Sequence, residues 1–157
     1  MNSSQLIYDS YLPGALVIYR QANDYSGSSV TLDGSVYDDV WCFFDSAYDN
    51  CQLTIDLPCP CLVRFEVGVE NISVNSTGGI GCIWVANSLV DPTSIYNINS
   101  AGLSWKTRNT NYTSGYSFGQ TSLDNGTHYF RPVWKIQTPY IFSMRFAVYL
   151  TVTAYRS

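Results

Sequence analysis

The only histidine of the chain, His128, is the first residue to consider as a catalytic group. Ser and Asp are abundant, so a Ser-His-Asp catalytic triad can be proposed. In such a triad the histidine would take a proton from a serine nucleophile. The Gly-x-Ser-x-Gly sequence that presents a strained nucleophile on a strand-to-helix turn does not occur. A lone histidine at the start of a β-rich segment is typical of a structural residue, and the sequence predicts that the protein is not an enzyme.

Two groups of residues could bind a metal ion. The acids Asp38, Asp39, Asp45 and Asp49 lack the spacing and the terminal Glu of a calcium loop, so they are interpreted as solvated turn residues. Four cysteines lie close together in sequence but lack the paired Cys-x-x-Cys knuckles of a zinc site, namely Cys42, Cys51, Cys59 and Cys61. No metal and no other cofactor is therefore expected.

The chain contains five cysteines, so at least one thiol is unpaired in any disulfide scheme. Because the sequence begins without a signal peptide, all five are expected to be reduced during synthesis. Cys59 and Cys61 would not easily bond to each other from an extended strand, and Cys42 with Cys51 is the easier pair. We expect the thiols to act as small apolar core residues, and Cys82 fits that role best.

Charged residues make up only 13% of the chain and aromatic residues 15%, with a net charge of −4. The two lysines, Lys106 and Lys135, form no basic stripe, so nucleic acid is not an expected ligand. A surface made polar by Tyr, Thr, Ser and Asn suits lasting contact with another protein, because Tyr offers a large contact area with few rotatable bonds.

No apolar run approaches the roughly 18 residues of a membrane span, and no cationic N-terminal leader occurs, so neither membrane insertion nor standard secretion is expected. Five Asn-x-Ser/Thr sequons are interpreted as products of the composition. They lie at Asn2, Asn71, Asn75, Asn111 and Asn125.

The elements that must position these residues are strands, because short runs of β-branched and aromatic residues alternate with turn residues. Asn125-Gly126 is the strongest hairpin signal. The sequence therefore predicts an all-β fold, a jelly-roll-like antiparallel β-sandwich over residues 14–157, with an extended N-terminal arm at residues 1–13. The eight predicted strands are 14–20, 52–57, 61–72, 80–86, 94–98, 103–107, 128–137 and 146–154.

The last predicted strand shows the clearest alternation. Phe146, Val148, Leu150, Val152 and Ala154 share a face that is expected to be core. The opposite face carries Tyr and Thr in place of Lys and Glu, which favours a subunit contact over a freely solvated surface.

Two segments carry candidate residues for binding a partner. The arm contains Tyr8 and Tyr11, which are expected to lie on a neighbouring molecule. Residues 108–120 are predicted to be a polar, aromatic, exposed loop, where binding residues tend to occur. Its candidates are Arg108, Tyr112, Tyr116 and the nearby Trp105, whose ring could stack on a sugar or pack in the core.

Residues 123–134 and 149–155 resemble the closing strands of phage virion jelly rolls, with Gly126-Thr127-His128 before a strand containing Trp134. Residues 51–65 resemble their opening strands, in which a short strand meets a proline turn and then a long core strand. The resemblance extends in fold to the C1q and tumour-necrosis-factor type jelly roll, which usually forms trimers.

This resemblance implies a virion protein of the capsid decoration or cement type. On that basis we expect a homotrimer that binds the major capsid protein or another virion protein. It would be made in the host cytoplasm and be located on the outer surface of the particle. The alternative is a fibre tip or head protein that binds a host receptor or a surface glycan.

Overall fold

A computed structural model describes residues 14–25, 30–33, 40–44, 50–76, 79–97, 104–107, 114–136 and 141–157. The predicted arm at residues 1–13 lies outside these ranges. The described part of the chain forms ten β-strands. They are β1 (Leu16–Tyr25), β2 (Val30–Asp33), β3 (Cys42–Phe43), β4 (Leu53–Leu57), β5 (Cys61–Ser76), β6 (Gly79–Ala86), β7 (Ser104–Thr107), β8 (Ser114–Leu123), β9 (Gly126–Ile136) and β10 (Ile141–Arg156).

The strands form two antiparallel sheets with the order of a jelly roll. In the first sheet, β1 and β2 pair with successive parts of β10 and so share one position, followed by β10, β5 and β8. In the second sheet, β3 and β4 likewise share the position beside β9, followed by β6 and β7. Each sheet therefore has four strand positions, although the chain has ten strands. Two sheets of four positions are the arrangement of an eight-stranded jelly roll. The predicted all-β sandwich is confirmed.

The core lies between the sheets because apolar residues alternate along the strands. Val148, Leu150, Val152 and Ala154 of β10 are fully buried, whereas Tyr149 between them is exposed, which confirms the predicted two faces of this strand. In β5, every second residue is buried in the same way, at Cys61, Val63, Phe65, Val67 and Val69.

Aromatic rings fill the centre of the core. The Phe65 ring meets the Trp84 ring edge-on, with centroids 5.5 Å apart, and Tyr96 stacks on Phe130 at 4.9 Å. Buried Tyr and Trp need partners for their polar atoms, and both have them. The Trp84 indole donates to the Tyr96 carbonyl at 2.8 Å, and the Tyr96 hydroxyl donates to the Tyr129 carbonyl at 2.8 Å.

The predicted strand at residues 94–98 was wrong. Within it, Ile95 forms only an isolated bridge to Ala86, and Tyr96 bonds to Val85 through its backbone nitrogen. The apolar residues Ile95 and Tyr96 belong instead to a short connecting segment, which places the Tyr96 ring in the core.

The predicted hairpin at Asn125-Gly126 was also wrong. Gly126 has a φ of 131°, in the region that favours glycine, so the turn signal itself was sound. The strands on either side belong to different sheets, however, because β8 pairs with β5 whereas β9 pairs with β3, β4 and β6. The dipeptide therefore carries the chain from one sheet to the other.

The predicted loop at residues 108–120 needs correction as well, because residues 114–120 form most of β8. Its inward positions carry Ser117 and Gly119, both buried, where a strand pattern would normally show large apolar residues. Small residues are required there because a Cβ on Gly119 would lie 2.6 Å from the Phe65 ring and 2.9 Å from the Trp84 ring.

All five cysteines are free thiols in the structure. Cys51 and Cys61 are buried in the core, but Cys82, the expected core residue, is only partly buried. Burial raises the pKa of Cys51 to about 12 and that of Cys61 to about 11. The sulfur atoms of Cys59 and Cys61 are 3.9 Å apart.

Gly119→Ala is expected to destabilise the fold by about 1–3 kcal/mol, because the added methyl group overpacks the site between the Phe65 and Trp84 rings. For a chain of this size, that loss lowers the melting temperature by roughly 3–10 °C. Differential scanning calorimetry measures the shift, with Gln120→Ala on the exposed side of the same strand as the control. Equal melting temperatures for the two variants would contradict the tight packing of Gly119.

Candidate protein-contact surface

The outer face of the first sheet is the candidate functional surface, and we call it the tyrosine face. It consists of residues of β1, β10, β5 and β8 that alternate along each strand with the residues facing the core. They are Tyr19, Gln21 and Asn23 of β1, Tyr149, Thr151, Thr153 and Tyr155 of β10, Leu62, Arg64, Glu66 and Gly68 of β5, and Tyr116, Phe118, Gln120 and Ser122 of β8.

Gly68 lies at the centre of one cross-strand row of this face, opposite Tyr149 on one side and Tyr116 on the other. The Tyr149 ring lies directly over Gly68, in the space that a Cβ would occupy. A ring that covers a strand glycine shields its backbone and packs against it, as in the aromatic rescue of sheet glycines. Tyr149 therefore packs against the backbone of its own sheet.

The charges on the tyrosine face are paired with each other. Arg64 and Glu66 are its two charged side chains, and they form an ion pair at 3.1 Å. The Arg64 guanidinium also lies 5.7 Å from the centre of the Phe118 ring, which in turn lies 6.2 Å from the Tyr116 ring. An exposed ion pair of this kind contributes little stability, but it leaves the face without net charge.

Tyr116 joins this cluster through its hydroxyl group. Partial burial raises the pKa of Tyr116, and the negative charge of Glu66 raises it further. The phenol therefore stays protonated and neutral around neutral pH, and it can donate a hydrogen bond.

A shallow depression of about 200 Å³ lies at the β1 side of the tyrosine face. It is lined by Gln21, Asn23, Tyr149 and Thr151, with the backbone of Ala22 and Leu150 between them. The amide groups of Gln21 and Asn23 and the hydroxyl groups of Tyr149 and Thr151 can both donate and accept hydrogen bonds. This is a chemistry that can bind a protein side chain or a sugar ring.

The structure brings one of the predicted partner-binding residues onto this face, namely Tyr116. Trp105 instead lies in β7, paired with Gly81 in the second sheet, and its side chain is outside the described part of the structure. Tyr8, Tyr11, Arg108 and Tyr112 also lie outside the described residues. Trp105 and Tyr116 are on neighbouring strands of different sheets, and residues 108–113 between these strands lie outside the described residues.

Sequence reasoning missed Tyr19 and Phe118, which are 41% and 43% exposed. For Tyr19 the sequence carries a signal, since it follows the apolar, buried Ile18. Phe118 has no such signal, because its neighbours Ser117 and Gly119 are small although they are buried. Tyr149 was placed on a semi-polar second face from the alternation of the last strand, and its 38% exposure agrees with that placement.

His128, the candidate catalytic residue, and its neighbour Thr127 contact other segments of the chain. The His128 Nε2 atom is 2.8 Å from the backbone carbonyl oxygen of Asp124, which fixes the ring against the turn before β9. Thr127 donates its hydroxyl proton to Asp56 at 2.7 Å, which links β9 to β4. Among the described residues, no three His, Cys, Asp or Glu side chains lie close enough to hold a metal ion.

The same described ranges contain no helix that is long and apolar enough to cross a membrane.

Comparison with known proteins identifies no family: no family model and no curated protein matches the chain. Among solved structures, the chain is similar to one described as the structure of Eiger TNF from S. frugiperda. The two share 8% sequence identity and superpose with a TM-score of 0.42, over 89% of this chain and 92% of that one. The jelly-roll assignment therefore depends on the strand order of this chain itself.

Gly68→Ala is expected to displace the Tyr149 ring while leaving the fold intact, because the obstructing atoms are the far end of a side chain that can rotate outward. The melting temperature should fall by less than in Gly119→Ala, where the rings are locked in the core. Nuclear Overhauser contacts between the Tyr149 ring and the α-protons of Gly68 check the placement in the unmodified protein. Their absence there would contradict the ring-over-glycine arrangement.

Proposed function

We propose that this protein is a non-enzymatic virion structural protein of the capsid decoration or cement type, which assembles as a homotrimer through the tyrosine face. The observation that carries the proposal is the aromatic tyrosine face, whose two charged side chains, Arg64 and Glu66, are paired with each other. Interfaces between proteins are enriched in Tyr and depleted in Lys, Glu and Asp. The residues of this face include four Tyr, no Lys, no Asp and one Glu, which is paired with Arg64. The trimer partner is a second copy of the chain.

Pre-positioning supports a binding role because each side chain that is ordered on binding costs about 0.5–1.5 kcal/mol. Tyr149 is already ordered over Gly68, and Arg64 is already engaged with Glu66 and Phe118. A partner that covers these residues loses less entropy than one that covers freely rotating lysines or glutamates.

The size of the face argues for a second contact element. The face is four strands wide, at about 4.8 Å per strand, and seven residues long, at about 3.3 Å per residue. Its flat area is therefore roughly 440 Å². A standard interface buries about 800 Å² per partner. We propose that residues 1–13, with Tyr8 and Tyr11, supply the remainder by lying on a neighbouring molecule.

The virion setting is supported by the sequence resemblance of residues 51–65, 123–134 and 149–155 to phage virion jelly rolls. In that setting the protein is made in the host cytoplasm and binds the outer surface of the particle, through the major capsid protein or another virion protein. Trimers placed at junctions of capsid subunits would stabilise the particle, since disassembly would then break more contacts at once.

The second candidate function is a fibre tip or head protein that binds a host receptor or glycan. The depression lined by Gln21, Asn23, Tyr149 and Thr151 favours it, because amides and a ring edge are suited to the hydroxyl groups of a sugar. This depression lies on the tyrosine face, so a trimer that covers the face would also cover the sugar site. The two functions are therefore distinguished by which occupant the face takes.

Tyr149→Arg is expected to convert the trimer into a monomer, since each interface would then bury an unpaired positive charge, which costs several kcal/mol. Sedimentation velocity or light scattering at micromolar concentration measures the mass. Tyr129→Arg is the matched control, because Tyr129 has nearly the same exposure, 39% against 38%, but lies on β9 of the other sheet. Unmodified protein that is monomeric and does not bind capsids would contradict the proposal, as would dissociation by both variants.

In the proposed trimer the neighbouring subunit covers the depression, so Gln21 cannot contact a glycan. Gln21→Ala is therefore expected to have no effect on binding to glycans. A glycan array probed with the full chain tests this, with Gln120→Ala on β8 as the control. Array binding that is lost in Gln21→Ala, Trp105→Ala or Tyr112→Ala would favour the fibre-tip function. Electron micrographs of labelled particles locate the protein on the capsid lattice or at a fibre end.

A further inference from the structure

Two thiols converge where the chain turns from β4 into β5. The sulfur atoms of Cys59 and Cys61 are 3.9 Å apart, and the Cys61 thiol donates a hydrogen bond to the Cys59 carbonyl oxygen at 3.2 Å. Cys61 is fully buried as the first residue of β5, whereas Cys59 is partly exposed. The pair therefore has one sulfur that a small reagent can reach and one that it cannot.

The local backbone explains the close approach. In a fully extended strand, alternate cysteines lie near the outer limit of Cα separation for a disulfide, which is why the sequence argued against this pair. Pro58 and Cys59 instead lie in a bend, and β5 begins only at Cys61. The bend lets both side chains point to the same place.

We propose that Cys59 and Cys61 form a reversible disulfide within the chain when the protein meets a small-molecule disulfide oxidant such as oxidised glutathione. The sulfur atoms must approach from 3.9 Å to about 2.05 Å. A rotation of the partly exposed Cys59 side chain supplies this movement without displacing the buried Cys61. This chemistry is independent of how the protein assembles.

The reaction proceeds in two exchange steps. The Cys59 thiolate attacks one sulfur of oxidised glutathione, forms a mixed disulfide and releases one glutathione thiolate. The Cys61 thiolate then attacks the Cys59 sulfur, forms the internal disulfide and releases the second glutathione thiolate. Overall the two protein thiols are oxidised, one oxidised glutathione is reduced to two glutathiones, and the two protons pass to these products.

The pH dependence follows from the buried partner. Burial, and next the hydrogen bond and charge of Cys59, raise the pKa of Cys61 to about 11. The second step needs the Cys61 thiolate, whose fraction rises about tenfold per pH unit below that pKa. The positive charge of Arg156 acts in the opposite direction and favours the thiolate. Ring closure should therefore be slow at neutral pH and accelerate steeply as the pH rises.

The experiment incubates the full chain under native conditions with oxidised glutathione and then blocks the remaining thiols with an alkylating reagent. Combined cleavage before Asp56 and after Arg64 gives a fragment, residues 56–64, whose only cysteines are Cys59 and Cys61. The expected fragment is unalkylated and lighter by two hydrogens, and it returns to the dithiol after treatment with a reductant. Its yield at a fixed time should rise with pH from neutral to mildly alkaline.

Two variants make the result specific. Cys59→Ser should remove the cross-linked fragment, and because Cys59 is only partly buried at the edge of the core, the melting temperature should change little. Cys42→Ser, at a partly exposed thiol on β3 of the other sheet, should leave the cross-link unchanged. At mildly alkaline pH, a fragment that keeps glutathione on Cys59 without closing, or that is fully alkylated at both cysteines, would overturn the proposal.

Discussion

The contact between the Phe65 ring and Gly119 sets the arrangement of both sheets. Phe65 projects from β5 of the first sheet, fills the space that a side chain at position 119 would take and reaches Trp84 on the second sheet. A ring of that size fits only because its neighbour on β8 has no Cβ. The spacing of the sheets, the small inward residues of β8 and the position of Tyr96 beside Phe65 all depend on this fit.

Strand β5 connects this core to the proposed contact surface. Its inward residues, such as Val63 and Val67, are fully buried, and its outward residues include Arg64, Glu66 and Gly68. It is paired with β10 along nearly its whole length, and its first ten residues, 61–70, are also paired with β8 on the other side. The side chains of the tyrosine face on this strand therefore start from a backbone that is hydrogen-bonded on both sides.

How far the sequence predicts this molecule depends on where apolar residues alternate. The alternation of residues 146–154 predicted β10 and its two faces, because large apolar side chains mark the inner side. In β8 the inner side is marked by Ser117 and Gly119, so the strand resembled a loop until Phe65 was seen to occupy the space. Asn125-Gly126 predicted a turn but could not reveal that the strands before and after it pair elsewhere, since pairing is set by contacts distant in sequence. Tyr116 was predicted for its aromatic, exposed surroundings, whereas its place beside Gly68 follows from the register alone.

The two ends of the described sandwich meet at one corner. The Gly14 nitrogen donates to the Arg156 carbonyl at 2.8 Å, the Arg156 nitrogen donates to Ala15 at 2.9 Å, and the Ser157 hydroxyl donates to Pro60 at 3.0 Å. Because β1 and β10 are antiparallel, a force that pulls residue 14 away from residue 157 loads their ladder one hydrogen-bonded pair at a time, from that corner inward. The sandwich is therefore mechanically weak to tension across this corner. A tether that pulled both ends in the same direction would leave the ladder unloaded.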